Sequence, residues 1–217
     1  MLGFWAYISL HIPDILKGLK YTCELTVVVS LITLPLSMLV AILAIVGPKW
    51  YKALYKAYTW VFRGSPLLMQ LYLVYFGLPY VGIVLPANVV VFGIFVICFT
   101  AYQAEVFRGG ILSTEIGQYE ACKVLGMNMY LTMVRVVIPQ TIRKVIPQTC
   151  SQVIVLFKDT SLVMTIGMND LLKSASTLVI LDLRLDALLA VLVIYLAISS
   201  LMVIGFGKLE KKYATYV

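Results

Sequence analysis

Residues 25–46 read LTVVVSLITLPLSMLVAILAIV, and none of these side chains carries a charge. A helix of about 20 apolar residues is long enough to cross the hydrocarbon core of a bilayer. A second uncharged run covers residues 187–207, and a third covers residues 64–104 and is roughly twice as long as one span. These three runs predict a protein built from membrane-spanning helices.

The composition of the whole chain leads to the same class. Of 217 residues, 62% are hydrophobic and 12% are charged, and the mean hydropathy is +0.99. Soluble domains carry about 25% charged residues. Because so few polar side chains could not cover a surface exposed to water, the sequence excludes an ordinary soluble protein.

We expect an all-α membrane protein with five transmembrane helices. The long uncharged run divides at Gly77-Leu78-Pro79 and at residues 85–88, which are typical turn sequences. The membrane-spanning body covers residues 21–212, and the expected spans are 22–46, 58–80, 87–112, 137–157 with a continuation to 172, and 185–207. Residues 1–20 are expected to be an amphipathic lead-in on the membrane surface, with a disordered tail as the alternative, and residues 208–217 a terminal tail.

Basic residues predict the orientation of these spans. They are concentrated in the loop after the first span, in the loop between the third and fourth spans, and in the tail. Because cytoplasmic loops are enriched in lysine and arginine, we expect the N-terminus outside and the C-terminus in the cytoplasm. The net charge of +7 is then a consequence of topology and indicates no nucleic-acid partner.

Catalytic and metal-binding patterns are missing from the sequence. It contains no GxxxxGK[ST] loop that would hold the phosphates of ATP. His11 is the single histidine, and the four cysteines are scattered, so neither a nucleophilic triad nor a zinc site is expected. We therefore expect a protein that is not an enzyme, with no metal and no cofactor of its own.

The loop between the third and fourth spans contains a short helical pattern over residues 118–125. Gly126 follows it, at a position where a helix end favours a left-handed residue. Two turns of helix are too short to be stable alone. The segment is therefore expected to dock either on a partner or, as the alternative, on the protein's own cytoplasmic face.

Residues of this loop resemble the EAA loop of the permease subunits of bacterial ATP-binding-cassette importers. The resemblance rests on Glu120-Ala121-Cys122, on Gly126, and on Ile138-Pro139. In that family the loop is the coupling helix that fits a groove on the ATPase. The resemblance therefore implies ATPase-coupling roles for Gln118, Tyr119, Glu120, Ala121, Lys123, Leu125 and Gly126.

Other blocks resemble the polar amino acid permeases of the same family. They are RGSPLLMQL with YFGLP at residues 63–79, YQAEVFRGGI at 102–111 and KDTSL at 158–162, in family order. This resemblance implies the type I (MetI-like) permease fold, located in the bacterial cytoplasmic membrane. It also implies a second permease copy, either identical or related, a pair of ATPase subunits that carry the ATP and magnesium, an external amino-acid-binding protein, and a polar amino acid as cargo.

Polar residues inside the spans are candidates for a substrate path. They are Ser65, Gln70, Gln152, Asp159, Thr160 and Ser161. Charges at membrane depth cost at least about 2.5 kcal/mol unless they are paired or hydrated, so Lys158 and Asp159 require an explanation. Either they stabilise a helix break or Asp159 lines a polar cavity, and both can hold together.

Each of the other polar candidates has a structural alternative. Ser65 is expected to cap the helix that follows it, and the two glutamines to bond neighbouring helices. Glu105 and Arg108 lie one helical turn apart and form either a structural pair or part of a gate. An ATP-driven importer has two alternatives: an ion-gradient-driven carrier or channel for small polar solutes, and a scaffold that transports nothing.

Overall fold

Helices form almost all of the computed structural model, which describes residues 3–214. Within these residues the α-helices are α1 (Phe4–Val46), α2 (Lys49–Gly64), α3 (Leu67–Tyr72), α4 (Ala87–Leu112), α5 (Ile116–Val124), α6 (Met129–Thr132), α7 (Ile138–Asp159), α8 (Leu171–Asp182) and α9 (Asp186–Ala214). Wider π-helical turns occupy Leu73–Gly77 and Met133–Val137, and tighter 3₁₀ turns occupy Leu78–Val81 and Thr160–Ile166.

Four helical segments are long and apolar enough to cross a bilayer. They are Phe4–Val46, Ala87–Leu112, Met129–Ile166 and Asp186–Tyr213, and Leu67–Val81 is a shorter apolar helix. The prediction of an all-helical membrane protein is confirmed in this form, with four long apolar helices and one shorter one. The third expected span, 87–112, coincides with α4.

The first helix is much longer than expected. Residues 4–20, which we expected to form a separate lead-in, are continuous with the first span in α1, and residues 1–2 lie outside the described residues. At 1.5 Å per residue α1 is about 65 Å long, roughly twice the hydrocarbon thickness. Its first half is stabilised by packing, because the buried Tyr7 and Ile15 contact a cluster that includes Leu171 and Ala175 of α8.

The second expected span, 58–80, differs most from the structure. The chain breaks at Ser65-Pro66 between α2 and α3. The expected cap is wrong, because the Ser65 hydroxyl donates to the carbonyl of Val61 at 2.7 Å and caps nothing in α3. The buried Gln70 amide stabilises the break by donating to the carbonyls of Phe62 and Ser65 at 3.0 and 3.1 Å.

Beyond α7 the sequence analysis missed a helix. The fourth segment ends at Ile166, before the left-handed Gly167, instead of continuing to residue 172. Helix α8 then begins at Leu171 and is capped by Asp170, whose carboxylate accepts from the amides of Leu172 and Lys173 at 2.9 and 3.0 Å. The fifth segment begins at Asp186 and remains helical to Ala214, so most of the expected tail belongs to α9.

Two glycines allow helices to approach closely. A Cβ atom on Gly18 of α1 would lie 2.6 Å from the backbone oxygen of Asp170, at the start of α8. A Cβ atom on Gly110 of α4 would lie 2.4 Å from the Val145 side chain of α7, whereas one on the adjacent Gly109 meets nothing within 4 Å. The close contact between α4 and α7 matters because both helices line the cavities described below.

This neighbouring pair of glycines gives a matched test of the packing. We expect Gly110→Ala to destabilise the protein by about 1–3 kcal/mol, because a methyl group forced into a filled interface displaces its neighbours. Gly109→Ala, on the open side, should leave stability nearly unchanged. Thermal unfolding in detergent checks this difference, and equal melting temperatures for the two variants would contradict the packing of α4 on α7.

Candidate functional site

The loop helix α5 ends in a well-formed cap. Gly126 has φ +73°, in the left-handed region, as its position after the helix predicted. The amide of Met127 donates to the carbonyl of Cys122, and the amide of Gly126 donates to the carbonyl of Lys123, both at 3.0 Å. These two bonds form a Schellman motif, which fixes the end of this two-turn helix.

The two faces of α5 differ sharply in exposure. Cys122 is buried, while Gln118 and Tyr119 are half-buried and face the protein. Tyr119 packs against a cluster that contains Phe107 and Val137, and burial raises the pKa of its hydroxyl. Of the seven predicted coupling residues, the exposed ones are Glu120, Ala121, Lys123, Leu125 and Gly126.

Two exposed apolar residues belong to this outer face and were missed. Ile116 is 75% exposed and Val124 is 87% exposed, beside Leu125 at 77%. Large apolar side chains grouped on a short loop helix indicate a surface that another molecule covers. Placing the apolar residues of 116–125 on the faces of a helix would have found Ile116 and Val124, because they lie on the face opposite Cys122.

Two open cavities lie along α4 and α7 and meet at Tyr102 and Gln152. The first, about 440 Å³, contains Asp159 and Ser65 in its lining, and we call it the Asp159 cavity. The second, about 580 Å³, is lined by Glu105 and Arg108 and is called the Glu105 cavity. Together they form one groove beside the contact between α4 and α7, with the Glu105 part mainly polar and the Asp159 part mainly apolar.

Glu105 is the centre of a charged cluster in its cavity. Arg108 donates to both of its carboxylate oxygens at 3.0 and 2.8 Å, and the Tyr55 hydroxyl donates to one of them. Arg63 approaches the same carboxylate at 3.4 Å and lies 5.8 Å from the ring centre of Tyr102. The predicted Glu105–Arg108 contact is therefore present, within a larger cluster.

The candidate path residues divide into three groups. Asp159, Gln152 and Ser65 line the cavities. Gln70 and Thr160 do not, because Gln70 bonds the break before α3 and the fully buried Thr160 donates to the carbonyl of Phe157 at 2.8 Å. Ser161 lines a different groove, toward α9, so Asp159 and Ser161 lie on opposite sides of the segment.

Three cavity residues were not assigned a role from the sequence. Arg63 and Tyr102 belong to the permease-like blocks at residues 63–79 and 102–111. Lys144 belongs to the basic residues that were explained by membrane topology. Their common signal is only a position near Glu105 in space, which the linear sequence does not contain. No group of three or more metal-binding side chains occurs within residues 3–214.

Long apolar helices beside an open groove with charged side chains are typical of a membrane permease. The sequence matches the model of the family described as binding-protein-dependent transport system inner membrane component, over residues 17–215. The chain belongs to this family. It is therefore an inner membrane component of an ATP-binding-cassette importer, and not its ATPase. Membership implies an ATPase and a binding protein as partners.

Curated relatives and solved structures agree with this assignment. A probable amino-acid ABC transporter permease, YckA of Bacillus subtilis (strain 168), is 32% identical over 94% of this chain and 91% of its own. The L-cystine transport system permease TcyB of the same organism is 30% identical over 99% and 90%. The arginine transport system permease ArtQ, also of Bacillus subtilis, is 32% identical over 76% of each chain.

Among solved structures, an amino acid ABC transporter crystallised with histidines gives a TM-score of 0.90 at 29% identity, covering 98% of this chain and 99% of that one. The MetNI methionine transporter in an inward-facing form gives a TM-score of 0.77 at 16% identity, over 92% and 96%. The second likeness shows the fold alone. The predicted family and the permease assignment are thus confirmed.

Proposed function

We propose that this chain carries a polar amino acid across the inner membrane, driven by ATPase subunits that dock on α5. The observation that carries the proposal is the groove formed by the Asp159 and Glu105 cavities, which share Tyr102 and Gln152 and contain charged side chains. The Asp159 cavity, about 440 Å³, is within the range of roughly 300–1,000 Å³ found for small-molecule sites. The relatives named for arginine and cystine transport support an amino acid as the cargo.

The charges along the groove suit an amino acid. Asp159 is the one carboxylate of its cavity and is available to accept hydrogen bonds from an ammonium group. The Glu105 cavity contains three cationic side chains, Arg63, Arg108 and Lys144, against one carboxylate. This excess of positive charge attracts the carboxylate of the cargo. The amino acid therefore binds with its ammonium group at Asp159, and Gln152 contacts it between the two cavities.

The importer also needs a second permease copy, a fifth span and an external binding protein. One chain leaves both cavities open at the surface, so a second permease copy, identical or related, closes the path. In this arrangement the shorter helix Leu67–Val81 serves as the fifth span, and the basic loops keep the C-terminus in the cytoplasm. An external binding protein delivers the amino acid, and ATP with magnesium binds only to the ATPase.

Energy enters through the outer face of α5. Its exposed apolar residues Ile116, Val124 and Leu125 dock in the ATPase, and Glu120 adds a charge at the rim. The inner face transmits the motion, because Tyr119 packs on the cluster shared by α4 and α7. When the ATPase subunits close, the two α5 helices move together and the cavities change access from one side to the other.

Uptake into proteoliposomes tests this function. The chain, reconstituted with its ATPase and binding protein, is expected to accumulate labelled arginine, glutamine or cystine only when ATP is supplied. Glu120→Ala and Gly126→Ala should abolish uptake with membrane insertion intact, the latter because a left-handed alanine costs roughly 1–2 kcal/mol and disrupts the cap. Gly205→Ala, in open space on α9, is the matched control. Uptake driven by an ion gradient without ATP would contradict the proposal.

The Asp159 cavity gives a second test in the same assay. We expect Asp159→Asn to raise the apparent KM for uptake by about tenfold or more, because a charge-assisted hydrogen bond contributes about 1.5–3 kcal/mol. Glu24→Gln makes the same chemical change at an exposed carboxylate of α1 outside both cavities, and should leave the KM unchanged. An unaltered KM for Asp159→Asn would remove this residue from the path.

A further inference from the structure

Lys158 faces a groove that the transport path does not use. This groove, about 590 Å³, lies between the end of α7 and the first half of α9, on the side away from the Asp159 cavity. Its walls are mainly apolar and include Leu192 and Leu196, with the hydroxyls of Ser161 and Ser199 among them. We call it the Lys158 groove.

The position of this lysine is costly in a membrane. Lys158 lies about 21 Å along α7 from Lys144, at 1.5 Å per residue. Lys158 is exposed and, within residues 3–214, forms no hydrogen bond or salt bridge, although its charge interacts with that of the adjacent Asp159. The neighbouring Asp159 lines the opposite cavity. An ammonium group at this depth is tolerated when an anion or water reaches it.

The surroundings of the groove indicate which anion. Four apolar residues of α9, in and beside the groove, are 54–63% exposed: Leu189, Leu192, Val193 and Leu196. This surface suits hydrocarbon chains. The lining contains no carboxylate. A symmetric contact between two copies would pair this patch with itself, and the patch offers no carboxylate to Lys158. An anionic phospholipid supplies an acyl chain and a negative headgroup together.

We propose that the Lys158 groove binds one anionic phospholipid. The long Lys158 side chain extends along the groove toward the phosphate, because lysine keeps its methylene stem on apolar surface and carries its charge to a polar group. Ser161 donates a further hydrogen bond to the headgroup, and one acyl chain lies along Leu192 and Leu196. The bound lipid neutralises Lys158 on one side of the segment while Asp159 on the other side remains open to the transport path. The site is independent of the cargo.

Native mass spectrometry of the reconstituted transporter tests the site, with phosphatidylglycerol and phosphatidylcholine of matched acyl chains as probes. Lys158→Met should weaken phosphatidylglycerol binding by about fivefold, the contribution typical of one lysine near anionic lipid. Lys158→Arg should preserve binding. Lys173→Met, in α8 outside the groove, is the matched control. Phosphatidylcholine binding should be the same for all these proteins.

A groove-filling variant separates loss of the site from loss of the fold. Leu196→Trp keeps the lysine but occupies the acyl channel, and is expected to weaken phosphatidylglycerol binding with an unchanged melting temperature in lipid-free detergent. The proposal is overturned if Lys158→Met retains phosphatidylglycerol as the wild type does. It is also overturned if that variant loses a permease subunit instead of lipid, because the groove would then be a protein interface.

Discussion

Hydrocarbon offers no hydrogen-bond partners, and this constraint governs where every polar group of the chain lies. Backbone groups at membrane depth must be satisfied within the chain, which is why apolar helices dominate the fold. Where the backbone breaks, at Ser65-Pro66, the buried Gln70 amide bonds the freed carbonyls. In the groove beside α4 and α7, the Glu105 carboxylate is held by Arg108, Arg63 and Tyr55. The same constraint that shapes the fold therefore marks the path.

The loop helix α5 packs against the helices that line the groove. Helix α5 is capped at Gly126 and rests on the protein through Cys122 and Tyr119. The cluster beneath Tyr119 contains residues of α4 and α7, the two helices that line both cavities and that touch closely at Gly110. In the proposed mechanism, a displacement of α5 would therefore act on the helices that line the groove, without a separate relay.

The sequence predicted those features that depend on local pattern or on family motifs. The expected span 87–112 has the same bounds as α4, and Gly126 predicted the end of α5. Features that depend on tertiary contacts were missed. Helix α1 continues through residues 4–20 because α8 packs against them, and α8 itself is short and follows a capping residue, Asp170, that was assigned to the end of the fourth span. Ser161 was assigned to a polar cavity together with Asp159 and Thr160, yet in the 3₁₀ turn it lines a different groove.

We propose that the ATPase binds to the outer face of α5. Site-specific cross-linking is the most direct test of this contact. Cysteines placed at Ile116 and Val124, both exposed, are predicted to cross-link to the ATPase in the assembled transporter. The native Cys122 lies on the buried face of the same helix and serves as an internal control, with no cross-link expected. Absence of cross-links from the two exposed positions, or equal cross-linking through Cys122, would contradict the account.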